Sequence, residues 1–159
     1  MKSMSIRTAQ PTDVPAILGM IQELAEFEKL SHLCVSTEAM LADALFGAQP
    51  AAECLVGLED DVPIAFALFY HNYSTFVGQK GLHLEDLFVK PDFRSTGYGR
   101  EMLVALARIA IERQCARFEW AVLDWNETAI DFYEGLGAQV LPDWRICRVS
   151  GAELLHLAR

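Results

Sequence analysis

The sequence predicts an α/β fold, a mixed and mostly antiparallel central sheet crossed by one βαβ unit. Three observations carry this reading. Two strand-length apolar runs flank Asp60-Asp61, the pattern of a hairpin. A third run, Leu82 to Val89, ends shortly before Arg94-Ser95-Thr96-Gly97-Tyr98-Gly99. That glycine turn opens a long helical pattern, and another strand pattern follows it, as a right-handed crossover requires.

Taken in order, Ile6 to Ala9 reads as a short first strand. Thr12 and Asp13 are good N-cap types, and Pro15 suits a first helical turn. Val14, Ile17, Leu18, Ile21, Leu24 and Ala25 then follow helical spacing to about Phe27 or Glu28. A second helix is expected over Thr37 to Phe46. Cys54 to Leu58 and Ile64 to His71 form the hairpin about Asp60-Asp61, and Leu82 to Val89 is the fourth strand. The long helix spans Gly99 to Arg113, and Phe118 to Leu123 is the fifth strand. Thr128 to Leu136 is a helix with Gly137 as its cap. Trp144 to Val149 is expected to close the sheet, and Ala152 to Ala158 to add a final helical turn. Repeats, low-complexity tracts and linkers are absent from the pattern.

At 159 residues, half of them apolar, the chain suits one domain with a proper core. The longest apolar run, Ile64 to Tyr70, is too short to span a bilayer, so no membrane partner is expected. The first ten residues lack the apolar stretch of a signal peptide. Four dispersed cysteines without a Cys-x-x-Cys pair read as reduced thiols in a cytoplasmic protein. His32, His71, His83 and His156 show no metal-ligand spacing, so no metal is expected. A net charge of −9 argues against nucleic acid as a partner. Locally the sign reverses: Lys90, Arg94 and Arg100 outnumber Asp92 around the glycine turn. A positive segment on an acidic body suits a phosphate-bearing cofactor and a cationic second substrate.

The glycine turn gives that cofactor a place. Two glycines allow a tight turn with amides pointing into one concavity, and the following helix adds its positive dipole end. An ordinary glycine-rich turn would read the same, because short glycine motifs match often by chance. The loop lacks the Lys-Ser/Thr ending of a phosphate-loop NTPase, which removes that class.

Arg-x-x-Gly-x-Gly after the fourth strand, in this order of elements, resembles the acetyl-CoA-dependent N-acetyltransferases of the GNAT superfamily over nearly the whole chain. Leu84-Glu85-Asp86-Leu87-Phe88-Val89, Ala121-Val122-Leu123-Asp124-Trp125-Asn126, and Asp131-Phe132-Tyr133 with Gly137-Ala138 are similar to the diamine (spermidine/spermine) acetyltransferase family. Leu123-Asp124-Trp125-Asn126 and Tyr73-Ser74-Thr75 lean toward its thialysine N-epsilon-acetyltransferase branch. The resemblance implies the GNAT fold in one domain over residues 1–159, with a βαβ acetyl-CoA-binding core. It also implies acetyl-CoA (coenzyme A) as cofactor, a small amine as second substrate, and a homodimer with active sites near the subunit interface.

Amine acetylation must remove an ammonium proton. An alkylammonium of pKa about 10.4 leaves roughly one molecule in 2,500 nucleophilic at pH 7. Glu85 is the first candidate base, because a charged pair within Leu82, Leu84, Leu87 and Phe88 is expensive without a purpose. Strand alternation sends Glu85 and Asp86 to opposite faces, and cross-strand pairing or an exposed edge would also explain both. In the resembling family the glutamate is the general base, acting through water. Tyr133 is the candidate general acid, since a phenol of pKa near 10 keeps its proton until a thiolate forms beside it. By spacing alone it could equally be a core aromatic beside Ile130, Phe132 and Leu136.

By resemblance, the cofactor is held by the backbone of Leu87, Phe88 and Val89, where the fourth and fifth strands splay. Arg94, Ser95, Thr96, Gly97, Tyr98, Gly99 and Arg100 take the pyrophosphate; Asn126, Thr128, Ala129 and Tyr133 take the arm. Asn126 could also cap the next helix. Phe27, Glu28, Glu85, Asp86, Glu119, Trp120, Ala121 and Trp144 fall on the substrate side. Asn72 to Phe76 lacks the acid that polyamine-specific enzymes carry before the fourth strand, which weakens a polyamine preference. Without a nucleophile elbow, the reading is direct transfer in a ternary complex to a thialysine-like, lysine-like or polyamine amine. The alternatives are a non-catalytic acyl-CoA-binding module and a GNAT enzyme acting on a protein or amino-sugar amine.

Overall fold

The computed structural model describes residues 3–159. The chain divides into two compact units, residues up to Ala121 and Val122–Arg159. The first contains a five-stranded sheet, β1 (Ser5–Thr8), β2 (Glu53–Glu59), β3 (Val62–Ser74), β4 (Gln79–Val89) and β5 (Arg117–Trp120). The strands lie in chain order, antiparallel except for the parallel β4–β5 pair. Asp60 and Asp61 both take positive φ, the geometry whose twist matches a two-residue hairpin.

Helices α1 (Val14–Phe27) and α2 (Glu38–Phe46) join β1 to β2. Their buried Val14, Ile17, Leu18, Leu41 and Leu45 pack on Cys54, Val56, Phe66 and Phe88. The long helix α3 (Tyr98–Glu112) packs against β3, β4 and β5. Its capping Arg113 reaches His71 Nε2 at 2.8 Å and the Phe69 ring at 5.9 Å. Phe69 and His71 alternate with Phe66 and Leu68 along β3, so α3 covers the face opposite α1 and α2. Asp13 does not cap α1 as its residue type suggests. It accepts two bonds from Arg7, at 2.7 and 3.0 Å, and one from the Gln10 amide. These bonds hold its carboxyl below the usual range despite burial.

The second unit contains α4 (Glu127–Gly135) and α5 (Gly151–Leu157). Gly137 takes a φ of +96° just after α4, and Ala138 N–H returns to the Tyr133 carbonyl at 3.1 Å. That is the left-handed helix stop the sequence predicts.

Three expectations need correction. Trp144 to Val149 forms no strand, and its side chains are exposed. An alternating pattern supplies only a strand's side chains, and without a ladder partner there is no strand. β5 stops at Trp120 rather than Leu123, because its pairing with β4 ends at Leu84–Trp120. The third concerns the faces of Glu85 and Asp86. Leu68 pairs with Asp86 but Phe69 with Leu84, so Glu85 is an extra residue, a β-bulge. The bulge resets the alternation and places both acids on the α1 face.

Candidate active site

Four segments of the first unit converge at the C-terminal half of β4. The pairing with β5 ends at Leu84, yet β4 continues through Val89 bonded to β3. The edge of Glu85 to Val89 therefore has no β5 ladder beside it, which is the splay the resemblance implies. Beyond Val89 a 3-10 turn at Pro91–Phe93 leads into exposed residues 94–97 and then α3.

The loop is held from within. Arg94 Nε donates to the Val89 carbonyl at 2.8 Å, and Thr96 Oγ1 to that of Phe93 at 2.6 Å. Ser95 and Gly97 take positive φ, with Gly97 at +90° as the N-cap of α3. No atom lies within 4 Å of where a Gly97 side chain would begin, so the ground above the turn is open. The first amides of α3 have no acceptor in their own helix. An exposed turn, a helix N-terminus and open space together fit a diphosphate. Tyr98 departs from the rest, because its side chain is buried and its hydroxyl donates to Glu59 at 2.7 Å. Only its backbone can face a ligand.

On the α1 face stand three carboxyls. Burial pushes Asp86 up to about 6, and the charges of Glu85 and Glu28 add to the shift. Burial also raises Glu28, at the C-terminus of α1. Glu85 is exposed and lies 3.9 Å from His83 Nε2. The His83 ring lies 4.9 Å from that of Tyr70, tilted by 34°, and Tyr70 is raised by burial and then by Glu85. The Arg94 guanidinium sits 5.5 Å from the Phe27 ring and 5.3 Å from that of Phe88. Phe27, Glu28, Glu85, Asp86, Phe88 and Arg94 thus come together, with Asp86 beside Glu85 where strand alternation would separate them. Sequence reasoning misses Tyr70 and His83. The bulge that brings Glu85 over them has no signature in a single strand's alternation.

Such a place can do two things chemically. An open strand edge beside a helix N-terminus accepts an amide-rich, phosphorylated chain. Carboxyls held partly out of water attract an ammonium and can take its proton.

A family model, the acetyltransferase (GNAT) family, matches residues 20–138, which includes the C-terminal half of α1, β4, the glycine turn and α4. The chain belongs to the GNAT acetyltransferase family. This N-acetyltransferase is 39% identical over 170 residues to the thialysine N-epsilon-acetyltransferase of Sus scrofa, covering 99% of each chain. It is 35% identical over 194 residues to the L-ornithine N5-acetyltransferase of Arabidopsis thaliana, covering 94% of this chain and 85% of that protein. An integron cassette protein from the mobile metagenome of V. cholerae shares its fold, with a TM-score of 0.82 and 25% identity, over 100% of this chain and 99% of that one. GNAT acetyltransferases use acetyl-CoA as acyl donor, and this one transfers acetyl to an amine.

The second unit of the acetyltransferase carries five further expected residues, Asn126, Thr128, Ala129, Tyr133 and Trp144. Asn126 Oδ1 accepts the Ala129 amide at 3.3 Å and caps α4. Its amide nitrogen is not used by that bond. Thr128 and Ala129 lie in the first turn of α4, and Tyr133 is half-buried one turn further on. Trp144 is 78% exposed. In the first unit, Glu119 and Trp120 end β5 and Ala121 follows it.

Proposed function

We propose that the protein acetylates the terminal amine of a small cationic substrate by direct transfer, with Glu85 as base and Tyr133 as acid. The observation that carries this reading is the open edge of β4 between an exposed glycine turn and a carboxylate face. Acetyl-CoA supplies the activated acetyl thioester when bound. The turn from Arg94 to Arg100 holds its phosphates, and the backbone of Leu87, Phe88 and Val89 meets the thioester arm; Asn126, Thr128 and Ala129 assist. Phe27, Glu28, Asp86 and Trp144 shape the amine side, with Glu119, Trp120 and Ala121 beyond them. Glu85 takes the ammonium proton through water, and Tyr133 donates one to the departing sulfur.

Both units serve one reaction in this reading, a single domain over residues 1–159. The family match running through their boundary supports it. Cys54 is no candidate for a covalent route: burial pushes its thiol up to about 12, far from a nucleophile's range. Its unpaired state, shared by Cys34, Cys115 and Cys147, suits a reducing compartment such as the cytoplasm. A homodimer follows from the resemblance to the diamine acetyltransferases.

The test is thiol release from acetyl-CoA across lysine, thialysine, ornithine, putrescine, spermidine and an amino sugar. Turnover on the small aliphatic amines is expected. Tight cofactor binding without turnover on any of them would establish a non-catalytic module instead.

Gly97→Val tests the turn. A β-branched residue is strained at +90° and fills the open ground the phosphates need. Acetyl-CoA Kd should rise about 100-fold by calorimetry, as losing one or two charge-assisted bonds implies. An unaltered Kd in a folded variant would remove the turn from the site.

A further inference from the structure

We propose that the Tyr98–Glu59 hydrogen bond positions the glycine turn for the diphosphate, which makes Glu59 a positioning residue outside the site itself. The inference rests on the reading of residues 94–100 as the phosphate turn. Such a turn must be tied to something rigid, because its own bonds are local. Arg94 Nε reaches back 5 residues to the Val89 carbonyl, and Thr96 Oγ1 reaches back 3 to that of Phe93, both at the surface. These bonds shape the curl and leave its placement against the sheet open. Ser95 and Gly97 are held at positive φ, where a non-glycine residue is strained and glycine loses much conformational freedom.

Both ends of the turn rest on the β2–β3 hairpin. On entry, Ala65 pairs with Val89, and the Lys90 amide donates to the Ile64 carbonyl at 2.9 Å. On exit, Tyr98 is the first residue of α3, and its buried side chain carries the hydroxyl to Glu59 at 2.7 Å. Glu59 is the last residue of β2 and pairs with Val62 across Asp60-Asp61. The bond joins residues 39 apart in the chain, so it fixes tertiary placement rather than local shape. Residues 91–97 are thus a span with both feet on one hairpin.

The residue type points the same way. Phenylalanine would fill the same buried ground, but only a phenol brings a donor with it. A bond to a carboxylate is among the stronger ones, and this one is partly shielded from water. Without the tie, the first turn of α3 samples other placements. If about one molecule in ten then held the competent placement, affinity would fall about tenfold. A bond that merely satisfied a buried hydroxyl would change the melting temperature and leave affinity alone.

Coenzyme A and a truncated donor test this. Tyr98→Phe and Glu59→Ala should each raise the coenzyme A Kd about tenfold by calorimetry. In the cofactor-free protein, both should speed amide hydrogen exchange over the first turn of α3. The double variant should bind within about twofold of either single one, since the same bond is lost in all three; effects that multiply overturn the pairing. Glu59→Gln keeps an acceptor oxygen and should bind within about threefold of wild type. S-acetylpantetheine ends before the diphosphate, so Glu59→Ala should use it with a kcat/KM within about twofold of wild type. A coenzyme A Kd within about twofold of wild type in both single variants overturns the proposal, whatever their melting temperatures. If wild type uses acetyl-CoA no better than S-acetylpantetheine, the phosphate-turn reading falls and takes this one with it. A wild-type preference for acetyl-CoA that Glu59→Ala leaves intact overturns this one only. Should Tyr98→Phe not fold, Glu59→Ala set against Glu59→Gln decides alone.

Discussion

Tyr133→Phe is expected to lower kcat about 100-fold or more, the usual contribution of a positioned proton donor, while acetyl-CoA Kd changes less than about twofold. The substitution removes one oxygen and keeps the ring. Its packing should survive, because the Phe132 and Tyr133 rings lie 5.5 Å apart and a phenylalanine ring can hold the same contact. A thiolate that must leave unprotonated raises the barrier of the transfer step alone. The expected pattern is therefore a loss in kcat with binding intact, which marks an interaction made in the transition state. Steady-state rates beside calorimetric acetyl-CoA titration separate the two. A kcat within twofold of wild type would take Tyr133 out of the chemistry and leave it a core aromatic of α4.

What the sequence made legible were features written within one segment. The Asp60-Asp61 hairpin, the Gly137 stop and the Arg94–Gly99 turn each depend on backbone conformations that a few residue types adopt. What stayed hidden depends on a partner. The bulge at Glu85 exists because β3 and β4 slip by one residue between Leu68 and Phe69, and neither strand alone records the slip. A trace of it is present: Leu84 and Phe88 share parity in sequence, yet Leu84 opposes Phe69 and Phe88 opposes Phe66, on different faces. Ala121-Val122-Leu123 reads as more strand, but the ladder to β4 ends at Leu84–Trp120. The sixth strand fails likewise, since Trp144 to Val149 has strand-like side chains and no ladder. The carboxyls of the proposed amine side are recognisable by type; Tyr70 and His83, which the bulge sets beside Glu85, are not.

Asp86→Asn should make the protein more stable and a poorer enzyme at once. Asp86 sits opposite Leu68 on the face packed by α1, and its proton is held to about pH 6 by burial, then by Glu85 and Glu28. An unfolded chain releases that proton near 3.8. As pH rises through the window from 3.8 to about 6, the unfolded state ionises first and the native state loses stability. Above that window the penalty is fully present. At about 1.4 kcal/mol per unit, discounted for partial exposure, it amounts to about 2 kcal/mol. The asparagine variant should therefore melt about 4–8 °C higher at pH 7.5 and show no such gain at pH 4. Its kcat/KM for a cationic amine should fall about 30-fold, as expected when a charged hydrogen-bond partner is lost from a partly buried site. Wild-type kcat/KM should also decline below about pH 6 as Asp86 takes up its proton, and the variant should lack that limb. An ammonium entering between Glu28, Glu85 and Asp86 relieves the repulsion that raises Asp86, so substrate binding and proton release are coupled in sign. A variant that melts lower at pH 7.5 and keeps the acid limb would place the titrating group elsewhere, and Glu28 would be next to test.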